Sequence, residues 1–181
     1  MRFRSLLAAL ALAGCVTAGP APNVQRATLT PADAATGLMT GGALAMTLSS
    51  PAAAPSAGQD GLVQMRLTTT DGRALAFTEA NHAPFDVMAQ AQGGPLAQVM
   101  GLFGEEAPKL YAADAANNAG APFLCGPQGP AYVGIYDAPD GTAQIVALRS
   151  GFEFEADANG AYTPVPFSPD HVCARMRFRK G

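Results

Sequence analysis

Near its end the chain alternates with a strict period of two. Val172, Ala174, Met176 and Phe178 fall on one face of an extended segment, and Cys173, Arg175, Arg177 and Arg179 fall on the other. That spacing belongs to a β-strand with one buried and one wet face. The same rhythm opens a hairpin earlier in the chain. Val63, Met65, Leu67 and Thr69 alternate with Gln64, Arg66, Thr68 and Thr70, Asp71-Gly72 supplies a turn that tolerates positive φ, and Leu75 and Phe77 continue the apolar face on the return. Residues 131–136 and 143–148 flank a Pro139-Asp140-Gly141 turn, and apolar residues on both parities of Ile145-Val146-Ala147-Leu148 predict a strand covered on both sides. Phe152 and Phe154 alternate with Glu153 and Glu155 ahead of an Asn159-Gly160 turn. Three prolines, Pro164, Pro166 and Pro169, put 162–169 at an edge or in a loop.

Helical signals are fewer. Pro95 in a first-turn position, then Leu96, Val99, Met100 and Phe103 at helical spacing, then Gly104, describe a short amphipathic helix. It is too short to stand alone, so its stripe must be buried, against the sheet or against a docked partner. A helical turn over 85–92 and a helix over 109–117 are further expectations. Together these elements predict an α+β fold: mostly antiparallel sheet or a partly closed β-barrel, with one to three short helices and one disulfide.

The first residues set the compartment. Arg2 and Arg4 precede an apolar run over 6–12, the layout of a bacterial secretory signal, and the run is far shorter than the roughly 20 residues a spanning helix needs. Leu12-Ala13-Gly14-Cys15 follows. This tetrapeptide resembles the lipobox of bacterial lipoproteins, and the resemblance implies thioether lipidation of Cys15, cleavage before it and acylation of the new amino terminus. A chain so modified is anchored to a membrane through the lipid on Cys15, since several acyl chains hold stably where one holds marginally. Val16 rather than Asp after the cysteine resembles the outer-membrane sorting pattern of enteric bacteria. The expected domains are a signal peptide over 1–14, a lipid anchor and flexible Ala/Pro/Gly-rich stalk over 15–61, and one envelope domain over 62–181. The stalk reading rests on composition: few charges, no aromatic residue, too little apolar surface to offset the entropy of ordering. Within it, 38–48 has enough apolar residues for an edge strand.

Three cysteines are an odd count in an exported chain. Lipidation of Cys15 leaves Cys125 and Cys173 as the one intramolecular pair, and an oxidising compartment favours a disulfide between them. Without Arg2 and Arg4, nine basic residues face fourteen acidic ones, a net of about −5. A chain of that sign has no general electrostatic reason to bind nucleic acid or an anionic membrane.

Catalytic signals are sparse. Nucleophilic catalysis needs a nucleophile, a base and an orienter, and the bases on offer are His82 and His171, neither beside a Gly-x-Ser-x-Gly elbow. Glu105-Glu106 and Glu153/Glu155 are the paired carboxylates, and both fit solvent-facing positions. Asp157, Asn159 and Gly160 resemble the start of a calcium loop, but the closing glutamate is replaced by Pro166. No cofactor motif is present. The three arginines on one face of the last strand are the candidate binding residues, Arg175, Arg177 and Arg179, for an anionic partner; the alternative is cross-strand pairing with Glu153 and Glu155.

From Phe123 onward the chain also resembles the small β-barrel lipoproteins that inhibit lysozyme. Those join a lipobox to a disulfide-tied barrel and carry Ser-Gly-x-x-Tyr, to which Ser150-Gly151-Phe152-Glu153-Phe154 is similar, with Phe in place of Tyr. The expected function is a non-enzymatic binding or assembly role in the envelope, with an envelope protein as partner. The alternatives are lysozyme inhibition and a periplasmic hydrolase using His82 or His171.

Overall fold

A computed structural model describes residues 21–51, 62–80, 94–102, 108–115, 117–118, 122–149, 154–164 and 169–181. Eight strands close a barrel: β1 (Asn23–Pro31), β2 (Leu44–Ser50), β3 (Gln64–Thr69), β4 (Ala74–Glu79), β5 (Lys109–Ala113), β6 (Tyr132–Asp137), β7 (Thr142–Leu148) and β10 (Val172–Lys180). Each pairs antiparallel with the next, and β10 returns to β1. A two-stranded ribbon, β8 (Phe154–Ala156) and β9 (Tyr162–Pro164), is inserted before β10. Two short α-helices, α1 (Ala34–Thr40) between β1 and β2 and α2 (Pro95–Met100) between β4 and β5, and two 3₁₀ turns, Gly126–Gln128 and Pro169–His171, complete the described elements.

Closure follows from the inward parity. Leu29, Leu44, Met46, Met65, Leu67, Leu75, Phe77, Tyr111, Val133, Ile145, Met176 and Phe178 share one cluster, most with almost no exposure. Eight strands enclose a space just wide enough for side chains to fill, so this lumen is a packed core. One end of the barrel is plugged. There α1 lays Met39 on the core, Leu124 and Phe123 fold in from the β5–β6 connection, and Cys125 is bonded to Cys173, 48 residues on, with 5.2 Å between the Cα atoms. Asp33 caps α1, its Oδ1 accepting from the Thr36 N–H at 2.7 Å, and Gly41 closes the helix at φ 70°.

Outside the barrel, α2 covers β5, β6 and β7. Leu96, Ala97, Met100 and Leu102 pack on Leu110, Tyr136, Val146 and Leu148, which explains the two-sided apolar run in β7. Pro95 starts the helix and Gly101 ends it at φ 72°; the Leu102 N–H then reaches the Ala97 carbonyl at 2.9 Å. Leu96 sits directly on Gly134, where an added Cβ would lie 2.6 Å from its Cδ1.

Several expectations change. The sheet is a fully closed barrel rather than a partly closed one, and the chain is mostly β. The flexible stalk over 15–61 does not hold for its described part, because residues 23–50 supply two barrel strands and a helix. Ala27 and Leu29, then Leu44, Met46 and Leu48, turn inward between threonines and small residues that face out, so little apolar surface suffices when seven other strands complete the core. The helix expected over 109–117 is strand β5: Tyr111 faces the lumen and Leu110 faces α2, so both parities are buried and the alternation is hidden. α2 stops at Met100, before Gly104. In β10 the register shifts between Val172 and Ala174, so Val172 points outward under α2 while Cys173 packs toward the core. A bulge of this kind re-aims one side chain, and here it turns Cys173 off the arginine face toward Cys125. The turn expected over 85–92 lies outside the described residues.

Gly134→Ala should cost about 1–3 kcal/mol by overpacking, and Leu96→Ala about 2–5 kcal/mol by leaving a cavity. The two together should cost clearly less than their sum, since the shortened side chain makes room for the new methyl. Denaturant unfolding of the three variants measures this. Replacing both Cys125 and Cys173 by Ser should lower stability by roughly 4 kcal/mol if the loop-closure account holds, read from the same unfolding curves.

Candidate functional site

The meander puts the β1–β2, β3–β4, β5–β6 and β7–β10 connections at the plugged end and the remaining connections at the other. At that other end the lumen narrows to a mouth of about 70 Å³ lined by Met46, Leu48, Lys109, Tyr111, Ile135 and Asp137. Lys180 Nζ pairs with Asp137 Oδ1 at 2.5 Å. Burial pushes the Tyr111 phenol up to about 12, and the carboxylates of Glu79 and Asp137 add to the effect.

The larger concavity lies on the flank of the plugged end. It measures about 460 Å³ and runs between the β5–β6 connection and the ends of β4 to β6, with Asn118, Pro122, Pro127, Tyr132 and Arg149 in its lining. Asn118 forms its wall by clamping Ala76: its Oδ1 accepts from the Ala76 N–H at 2.6 Å and its Nδ2 donates to the Ala76 carbonyl at 3.0 Å. Burial raises the Tyr132 phenol above its usual range, and Arg149 brings the one charge among these lining residues.

The three arginines of β10 all face out and are exposed. Arg175 Nη1 donates to the Val99 carbonyl at the end of α2, so this guanidinium also serves the helix C-terminus. The strand adjacency expected between this face and Glu155 is not found, because β10 lies between β7 and β1 and β8 pairs with β9; Glu153 lies outside the described residues. The outward neighbours of Arg177 and Arg179 are Gln144 and Thr142 on β7, with Thr30 of β1 beside Arg179. Two carboxylates feel Arg177, and both sit in turns. Asp33 is held below its usual range chiefly by the Thr36 backbone and hydroxyl, and Asp140 chiefly by the Thr142 hydroxyl and N–H, with Arg177 adding to each.

Two residues join this face that sequence reading left out of the site. Arg26 of β1 stands opposite Thr47 of β2, which stands opposite Arg66 of β3, and all three point outward. Arg66 was legible as a wet-face residue of its hairpin; Arg26 was hidden because its strand has so few apolar residues. Cys15, His82 and residues 150–153 lie outside the described residues. His171 ends a short 3₁₀ turn, Pro169–His171, at the plugged end, and its carbonyl accepts from the Arg149 N–H at 2.8 Å. Asp157, whose likeness to a calcium loop lacks the closing glutamate, accepts from the N–H groups of Asn159 and Ala161 at 2.8 and 2.9 Å and so builds the β8–β9 turn.

Comparison of the chain with models of protein families, with characterised proteins and with solved structures gave no match.

The Tyr111 shift has a pH consequence. Its phenol ionises near 12 in the folded chain against an ordinary 10.0, so folding favours the protonated form. That contribution is fully present below pH 10 and is lost as pH rises to about 12. Stability measured by urea unfolding should fall across this window, and Tyr111→Phe should fall less over the same interval.

Proposed function

We propose that this chain is a lipid-anchored envelope protein with a non-enzymatic binding or assembly role, held through Cys15 at the periplasmic face of the outer membrane. The reading is supported by one observation above the rest: the filled barrel has one side covered by α2 and another that, among the described residues, is uncovered and displays the arginines. A filled lumen leaves recognition to the outer walls and ends of the barrel, and a rigid closed sheet is a good platform for it. The Cys15 anchor draws on the lipobox resemblance, on the odd cysteine count and on the pairing of the other two cysteines.

A second reading, inhibition of lysozyme, is favoured by the closed barrel and its disulfide, which match what that resemblance implies. It would act through 150–154, the segment leading into the ribbon outside the barrel.

Expression of the full chain in a bacterial host, followed by envelope fractionation and mass spectrometry of the N-terminal peptide, tests the anchor. The expected result is a mature chain beginning at a Cys15 that carries diacylglycerol and an amide-linked acyl chain, recovered with the membranes. Cys15→Ala should shift the protein to the soluble periplasmic fraction. An unmodified Cys15 in a soluble chain would end the proposal.

A further inference from the structure

We propose that the bare wall of the barrel, formed by β10, β1, β2 and β3, docks on the anionic phospholipid headgroups of the membrane that carries the anchor. The inference rests on the lipid-anchor reading for the nearness of that membrane, and on the wall itself for the chemistry.

Consider first what points outward. Arg26, Arg66, Arg177 and Arg179 do, with Arg175 at the edge where its guanidinium meets α2, and the outward positions around them hold Val24, Thr28, Thr30, Ala45, Thr47, Ser49, Gln64 and Thr68. No carboxylate occupies an outward position on these four strands. The strand carboxylates of the barrel, Glu79 and Asp137, both lie on the inward parity at the mouth, by their pairing with Tyr111 and Ala143. The mature chain has a net of about −5, yet five of its nine basic residues share this wall. Even with Asp33 and Asp140 counted at its rim, the wall is positive. Net charge is thus the wrong guide to this surface, because the acidic residues of the described part lie at turns, at the mouth and in the β8–β9 ribbon.

The spacing suits a lattice of headgroups. Alternate residues along β10 lie about 7 Å apart, and Arg26 and Arg66, two strands apart on one row, lie about 10 Å apart. Thr30 beside Arg179 joins the two groups into one surface. All five cations are arginines. The guanidinium fork is weakly hydrated and binds phosphate oxygens in pairs, where an ammonium acts as a point charge. Threonine and serine hydroxyls between the arginines offer further donors to the same oxygens.

The tether selects the occupant. Cys15 and Asn23, where β1 begins, are eight residues apart, at most about 28 Å of extended chain. β1 is itself a strand of the wall, and a nine-residue strand is about 30 Å long. The barrel can therefore lie on its side against the bilayer with this wall down. A surface that close is met continually at high effective concentration, so weak contacts suffice to orient the barrel. An acidic protein segment would satisfy the same charges, but none of the described residues fixes one at this distance.

The test uses a chain beginning at Val16, which carries neither the signal segment nor an acyl group and so reads the wall alone, with vesicles of phosphatidylcholine with or without phosphatidylglycerol. Binding should require phosphatidylglycerol and weaken steeply as salt rises. Arg177→Gln/Arg179→Gln and Arg26→Gln/Arg66→Gln should each lower the partition coefficient by about 25-fold, at about fivefold per arginine. Lys109→Gln/Arg149→Gln, the same charge change away from the wall, should leave it within about twofold. The salt series on the chain with its arginines intact keeps the test decisive should a substitution impair folding, which circular dichroism reports. Equal binding to both vesicles, indifference to salt, or equal loss in the Lys109/Arg149 control overturns the proposal; so does binding to polyglutamate without binding to phosphatidylglycerol. Failure of the anchor reading would show instead as an unmodified Cys15, and leaves the vesicle result unaffected.

Discussion

The barrel exists because residues near the two ends of the described chain pair with each other. Leu29, Thr30 and Pro31 of β1 stand opposite Lys180, Arg179 and Phe178 of β10. Three residue pairs are a short seam, and the chain reinforces it on both sides. Beyond Pro31 the Ala32 N–H donates to the Arg177 carbonyl at 2.8 Å, and the Thr36 hydroxyl accepts from the Arg177 N–H at 3.1 Å. At the far side the Gly181 N–H reaches the Thr28 carbonyl at 3.0 Å. Without the seam, β1 and β10 would be open edges with unsatisfied backbone groups, and the lumen would lose the lid that keeps Leu29 and Phe178 dry. Because it joins residues 29–31 to 178–180, it carries a high loop-closure cost, and topology of this kind folds slowly. The disulfide shares the burden, since it already ties Cys173 at the start of β10 to the plug of the barrel.

Closure also sorts the side chains. With the lumen filled by the inward parity, the outer face divides by what covers it. β5, β6 and β7 accept α2, which Gly134 admits close to the sheet, and the outward residues beneath it, Leu110, Tyr136, Val146 and Leu148, are apolar. Among the described residues, β10, β1, β2 and β3 are touched by a helix only where α1 meets β10 and β1, and apart from Val24 and Ala45 their outward positions are polar, with arginine as their charged residue. Arg175 marks the boundary, its backbone in the bare wall and its guanidinium on the last turn of α2. The helix and the cationic surface are therefore two outcomes of one constraint: a closed sheet has a single interior, and each outer stretch must be either covered or wettable.

How much of this the sequence disclosed depends on where each strand gets its burial. The β3–β4 hairpin was legible because one face is apolar, the other wet, and the turn residues sit between them. β6 and β7 were legible by the same reasoning, down to the two-sided covering of Val146 and Leu148. β5 was not, because Leu110 and Tyr111 are consecutive and buried on opposite faces, which in a single sequence is as consistent with a helix. β1 was missed for the opposite reason. Its described inward residues are Ala27 and Leu29, too few to look like a strand until the rest of the barrel supplies the core they complete. Local pattern reports a segment's own amphipathicity, and closure relaxes the need for it.

The same limit governs the arginines. Arg175, Arg177 and Arg179 announced themselves by spacing alone, since a strand puts alternate residues on one face. Arg26 and Arg66 are 40 positions apart and become neighbours on one row only through the registers of β1 with β2 and of β2 with β3. Their joining to the β10 set needs the seam, the longest-range contact in the barrel. Net charge pointed the other way, because it sums residues that the fold keeps on separate surfaces. A surface potential is set by arrangement, and in this chain the arrangement is decided by strand pairings, the seam above all, for which the sequence carries no local signal.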